Sequence, residues 1–102
     1  MEPISFPQVK PPEPGQAVRV EVKGTLVAVF NVGGELRAIG ERCTHRGGPL
    51  EKGPVTGHVV TCPWHGSQFN LDTGEVVRGP ATVPEPTFRV RIENNVLVVD
   101  AP

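Results

Sequence analysis

A chain of 102 residues with 37% hydrophobic residues is one domain, closing one modest core rather than two. The net charge of −1 argues against a nucleic-acid binder, which needs a basic face; Arg42, Arg46 and Lys52 read as solvated loop charges. No apolar run reaches the length of a membrane-spanning helix, and the first residues lack the basic and apolar regions of a signal peptide. The expectation is a cytoplasmic protein, and in a reducing compartment two cysteines point to metal or catalysis more than to a disulfide.

Twelve Gly and twelve Pro alternate with apolar runs, which predicts many short elements joined by defined turns. Ile4 to Val9 is a first strand at an edge, since Pro7 would remove a ladder donor from a central position. Lys10 to Gly15 holds three prolines and is an extended connector. Ala17 to Val22 alternates apolar and polar, as a strand with one wet face does. Lys23-Gly24 turns the chain into Thr25 to Phe30, apolar almost throughout and so buried on both sides, completing a hairpin. After the turn Val32 to Glu35, Leu36 to Ile39 is a third strand leading to Cys43.

A Gly- and Pro-rich loop then runs from Cys43 to about Pro54. Gly57 to Thr61 is a strand that carries His58 on an outward face and feeds Cys62. Gln68 to Leu71 is extended; Asp72 to Glu75 is a tight turn with Asp72 bonding the backbone ahead and Gly74 at positive φ. Glu75 to Arg78 returns as the partner strand. Gly79 to Pro86 cannot be regular structure. Thr87 to Glu93 alternates as one strand, Asn94-Asn95 suits a hairpin turn, and Val96 to Val99 closes the chain. Short strands with regular turn signals, and no convincing helix, predict an all-β antiparallel sandwich or barrel. The two Cys/His loops are the sole internal repeat.

Those loops carry the chemistry. Cys43-Thr44-His45 is C-x-H, and Cys62-Pro63-Trp64-His65 is C-x-x-H. They hold both cysteines and two of the three histidines. Three chemistries compete. Two Cys and two His match a tetrahedral structural zinc site, although zinc-finger spacing usually segregates the Cys from the His. A nucleophilic Cys beside a His finds no matched third group, and a Cys43–Cys62 disulfide is disfavoured by the compartment. A two-iron, two-sulfide cluster with unlike ends takes both thiolates on one iron and both imidazoles on the other. A mixed pair of loops is what it needs, each giving one ligand to each iron. Neutral imidazoles also remove about two negative charges relative to four thiolates, which makes reduction easier and lifts the potential into roughly −150 to +300 mV.

Cys43-Thr44-His45 with Gly47, Pro49 and Leu50, and Cys62-Pro63-Trp64-His65-Gly66-Ser67 with Phe69, followed by Thr73-Gly74, closely resemble the two boxes of the Rieske family. The resemblance runs from about Ala17 to Asp100. It implies a single Rieske domain over residues 1–102, an antiparallel β-sandwich with a two-loop cluster-binding subdomain at about residues 40–80. It implies one [2Fe-2S] cluster with Cys43 and Cys62 on the inner iron and His45 and His65 on the outer. A proline-rich third loop covers the cluster in the family, and Gly79-Pro80-Ala81 matches its place.

Rieske proteins of respiratory and photosynthetic cytochrome complexes carry a disulfide between two further cysteines; those positions are Gly48 and Trp64 here. A family Tyr whose hydroxyl bonds a ligand sulfur is Phe69, while Ser67 keeps a hydroxyl able to bond a sulfide. The missing donor places the potential in the lower part of the range. These features are similar to soluble Rieske-type ferredoxins that serve ring-hydroxylating oxygenases, with the small subunit of assimilatory nitrite reductase as a relative. The partners implied are a flavin-containing reductase and a terminal oxygenase, with the carrier a monomer, itself no enzyme, that binds neither membrane nor nucleic acid. Around the ligands, Gly47 and Gly66 let backbone N–H groups approach the sulfides. Trp64 packs under the second loop, with partner docking as the rival role, and Arg46 has steering of an acidic partner as its rival to plain solvation.

Overall fold

A computed structural model describes residues 2–101. Among them are eleven strands, all paired antiparallel: β1 (Glu2–Phe6), β2 (Ala17–Val22), β3 (Thr25–Val32), β4 (Glu35–Gly40), β5 (Val55–Thr56), β6 (Val59–Thr61), β7 (Gln68–Asn70), β8 (Val76–Arg78), β9 (Thr87–Phe88), β10 (Val90–Glu93) and β11 (Val96–Ala101). The only helical element among the described residues is a 3-10 turn at Leu50–Lys52. Three sheets result, in the orders β1-β11-β10, β2-β3-β4-β9 and β5-β6-β7-β8.

The hairpin turns follow from side-chain chemistry. Lys23 and Gly24 (φ 49 and 83), like Asn94 and Asn95 (φ 51 and 65), place two successive residues at positive φ, the geometry whose twist matches the strands it joins. Between such turns the period of two sorts each strand by face. Along β3 the sorting is two-sided. Val27 and Val29 join Val20, Val22, Ala38, Leu97 and Val99 in one buried cluster, and Ala28 and Phe30 join Ile39, Leu50, Val60, Phe69 and Leu71 in another. The β2-β3-β4-β9 sheet is therefore a middle layer. The β1-β11-β10 sheet covers one face, and β5-β6-β7-β8 with the two Cys loops covers the other. Phe30 and Phe69, at 2% and 0% exposure, each contribute roughly 1.5–3 kcal/mol by burial.

The structure departs from the sequence expectations at several points; the first strand spans Glu2–Phe6 and does not reach Val9. There are two buried clusters rather than one core, because the third sheet supplies a second apolar face. Thr87 to Glu93 is not one strand: β9 pairs with β4 through Ala38↔Phe88, β10 pairs with β11, and the chain changes sheets at Arg89. The alternation continues through such a break, so periodicity does not report it. His58 lies in the turn between β5 and β6 rather than on a strand; β5 is two residues long and carries no period. Finally, Asp72 does not bond the backbone ahead. Asn70 Oδ1 accepts the Asp72 and Thr73 N–H groups at 2.8 and 3.2 Å. The Asp72 carboxylate reaches Arg37 Nε at 2.7 Å and His58 Nδ1 at 3.0 Å, tying the third sheet to the middle one.

Candidate metal centre

The two Cys loops are built alike. In the first, Cys43 N–H donates to Gly48 O at 2.8 Å and Gly47 N–H to Cys43 O at 2.7 Å; in the second, Cys62 N–H donates to Ser67 O at 2.7 Å and Gly66 N–H to Cys62 O at 3.1 Å. Each closure needs a left-handed residue four places after the Cys, and Gly47 (φ 77) and Gly66 (φ 80) supply it without a Cβ penalty. Strand pairing continues from both closures, as an isolated Arg42↔Pro49 bridge in one and the Thr61↔Gln68 pair in the other.

The closures carry Cys43 and Cys62 into the same buried cluster, at 3% and 2% exposure, with their side chains within hydrogen-bonding reach. Burial pushes the Cys43 thiol above its usual value; the His45 backbone amide pulls it down, Cys62 beside it pushes up, and the Arg46 amide pulls down. Two amides aimed at one sulfur are donors that stabilise a thiolate once a cation balances the charge. His45 and His65 face each other edge to face, ring centroids 5.2 Å apart. His65 is exposed and His45 half-buried. His45 Nδ1 is buried with no hydrogen-bond partner.

Residues 79–86 lie across both loops as a strap. Ala81 N–H donates to Ser67 Oγ at 3.0 Å, Thr44 Oγ1 donates to Val83 O at 2.6 Å, and Glu85 N–H donates to Gly74 O at 2.8 Å. Ser67 is fully buried and accepts through oxygen, so its proton remains to be donated. Pro80 is exposed at the start of the strap. Trp64 is 57% exposed, which corrects the expectation that it packs under its loop. The Trp ring lies over Gly48, whose Cβ would sit 3.2 Å from Trp64 Cγ and Cδ2. The two positions that differ from the disulfide-bearing relatives are thus neighbours in space.

Sequence reasoning passed over two buried acids at this site. Glu41 and Glu85 are 2% and 4% exposed, and each has one carboxylate oxygen with no partner. Glu41 Oε1 accepts the Glu51 N–H at 2.9 Å. Burial pushes the Glu85 carboxyl up to about 7; the Thr44 backbone amide opposes this and Glu41 adds to it. No pattern marks either residue, because acids in Gly- and Pro-rich loops normally read as solvated.

Among the described residues, no group of three or more His, Cys, Asp or Glu converges as one mononuclear ion requires. The donors fall into a buried sulfur pair and an outer imidazole pair, which fits a two-metal group taking unlike donors at its two ends. The unpartnered His45 Nδ1 and the paired thiols are the atoms such a group would satisfy.

Fold and site together define an iron–sulfur redox domain. A sequence model of the Rieske [2Fe-2S] domain matches residues 5–92. The 3-phenylpropionate/cinnamic acid dioxygenase ferredoxin subunit of Escherichia coli strain K12 is 37% identical over 89 residues, covering 86% of this chain and 83% of that protein. Apoptosis-inducing factor 3 of Homo sapiens is 39% identical over 93 residues, which is 91% of this chain and 15% of that much longer relative. The structure described as a complex of reduced oxygenase and oxidised ferredoxin in carbazole 1,9a-dioxygenase contains a chain that matches with a TM-score of 0.79 at 36% identity, covering 86% of this chain and 82% of that one.

The chain belongs to the Rieske [2Fe-2S] family, and its cofactor is one Rieske-type [2Fe-2S] cluster.

Proposed function

We propose that this chain is a ferredoxin-type carrier of single electrons, accepting from a flavin-containing reductase and delivering to a terminal oxygenase. The observation that carries the reading is the pair of identically closed loops that set Cys43 against Cys62 inside and His45 against His65 outside. Cys43 and Cys62 would hold one iron and His45 and His65 the other. When bound, the cluster supplies a one-electron couple within roughly −150 to +300 mV.

The chain's own residues do the rest. The cysteines sit in an apolar layer that excludes water from the sulfur end. The Gly47 and Gly66 turns bring loop amides inward, and Ser67 holds a free hydroxyl proton in the same buried layer. Phe69 is buried without a hydroxyl, which keeps the couple in the lower part of the range. Exposed Trp64, Pro80 and Val83 lie on the loops and strap around the imidazoles, giving an apolar rim suited to the small, transient contacts of redox encounters. No described helix is long and apolar enough to cross a membrane. We assign the whole chain to one such domain, with residues 40–80 as the cluster-binding part, acting as a cytoplasmic monomer.

Anaerobically purified protein should contain equal iron and sulfide, absorb visible light and, once reduced, give the low average g value of histidine-ligated clusters. It should be reduced by a flavin reductase and reoxidised by an oxygenase. His45→Cys or His65→Cys should lower the potential or lose the cluster; an unchanged spectrum and potential would reject the ligand set. Zinc in place of iron would reject the carrier. The 15% span of the human relative favours one second reading, a Rieske unit working inside a larger redox enzyme, which stable copurification with a large partner would reveal.

A further inference from the structure

Resting on the electron-carrier reading above, we propose that Glu85 is a positioning residue that sets the driving force for reduction through the charge it places behind Thr44, and that it takes up a proton when the domain is reduced.

The geometry is specific. Thr44 stands between Cys43 and His45, one proposed ligand of each iron. Its backbone amide lies beside the Glu85 carboxyl and favours the ionised form, and its hydroxyl donates to Val83 O at 2.6 Å on the same strap. Glu85 therefore stands behind the ligand loop at Thr44, on a strap that the Thr44 hydroxyl ties to that loop. The side chain cannot retreat freely, because a Cβ on Gly40 would lie 2.5 Å from Glu85 Oε1; only glycine in β4 leaves room for it. The other oxygen is buried with no partner, an arrangement that costs free energy for a carboxylate and less for a neutral acid.

The surroundings do not neutralise it. Glu41, just after β4, and Glu21 from β2 line the same cavity of about 470 Å³, and Arg42 is its one cation. Arg42 is exposed and acts on Glu41 without figuring among the influences on Glu85. Glu85 accordingly titrates near neutrality, where a carrier works. The cavity connects it to solvent, so the proton source is water.

The balance is simple. One electron arrives from the donor, one proton arrives from solvent through the cavity, and the Glu85 carboxylate becomes a carboxylic acid; no bond to the metal group forms or breaks. An ionised Glu85 opposes the incoming electron and a protonated one does not. The midpoint potential should rise as pH falls through the Glu85 titration, by at most 59 mV per tenfold change in proton activity for a one-electron couple.

The experiment is redox titration of the cluster-loaded protein followed by visible absorbance from pH 5 to 9, for wild type, Glu85→Gln and Glu41→Gln. Glu85→Gln should hold the potential at the wild-type acid limit and abolish the slope near neutrality. Glu41→Gln should keep the slope and move it to lower pH, since one repelling acid is gone. A slope that survives Glu85→Gln, or a wild-type potential flat over this range, overturns the assignment to Glu85 while leaving the electron carrier intact. Protein without the cluster's absorbance would fail the carrier reading instead. A second measurement covers a Glu85→Gln protein that does not fold: reduced-minus-oxidised infrared difference spectra of wild type with isotope-labelled glutamate. A carboxylic acid band should appear on reduction, and its absence overturns the proton uptake.

Discussion

Gly74→Ala isolates what the strap contributes. Gly74 has φ +78, and a Cβ there would lie 2.1 Å from the Glu85 backbone oxygen. An L-residue at positive φ costs roughly 1–2 kcal/mol. Tight contact begins to ease at 3.4 Å, so the oxygen must retreat by about 1.3 Å (3.4 minus 2.1). That motion breaks the 2.8 Å bond from Glu85 N–H to Gly74 O, and an unsatisfied buried group costs roughly 1–3 kcal/mol. The sum is about 2–5 kcal/mol, which lowers Tm by at least about 8 °C in a domain of this size. Gly24→Ala is the control, because Gly24 has φ +83 but nothing within 4 Å of the added Cβ; it should cost only the roughly 1–2 kcal/mol of backbone strain. Thermal unfolding by circular dichroism, with visible absorbance followed in parallel, measures both variants. If Gly74→Ala were no worse than Gly24→Ala, the close approach of strap to turn would be refuted.

Ser67→Ala leaves the Ala81 N–H without its 3.0 Å acceptor in a fully buried place, and urea titration should show a loss of roughly 1–3 kcal/mol. Phe69→Tyr should raise the midpoint potential if its hydroxyl reaches a ligand sulfur; about 1 kcal/mol of preference for the reduced state corresponds to about 40 mV for one electron, and redox titration measures it. Glu85 also predicts a pH dependence of stability. Its carboxyl is raised from an ordinary value of 4.5 to about 7 in the fold, so between those values the native state holds the extra proton. The contribution is complete below about pH 4.5 and is lost as pH rises through about 7, with an upper size of about 3 kcal/mol. Melting curves across this range should decline for wild type and flatten for Glu85→Gln; parallel curves would contradict the assignment.

Much of the fold was legible in the chain because period-two alternation reports which face a residue takes. β2 and β3, together with the turns at Lys23-Gly24 and Asn94-Asn95, needed nothing else. The break at Arg89 was hidden because alternation persists when a strand leaves one sheet for another. The second buried cluster was hidden because Val60, Phe69 and Leu71 sit in segments too short to show a face. At the site, Cys43, His45, Cys62 and His65 stood out by type and spacing. The exposure of Trp64 depended on where its loop closes, and Glu85 depended on a strap folding back across sequence-distant loops. Neither leaves a mark on local sequence.

β3 is a party wall between two rooms. Val27 and Val29 furnish the one formed with the C-terminal strand, Ala28 and Phe30 the one that contains the thiols. Neighbouring positions on a single strand therefore answer to different demands. Changes at 28 or 30 bear on redox properties as well as stability, whereas changes at 27 or 29 leave the metal end largely alone. An engineer seeking a sturdier carrier with its voltage intact should work on the odd-numbered side.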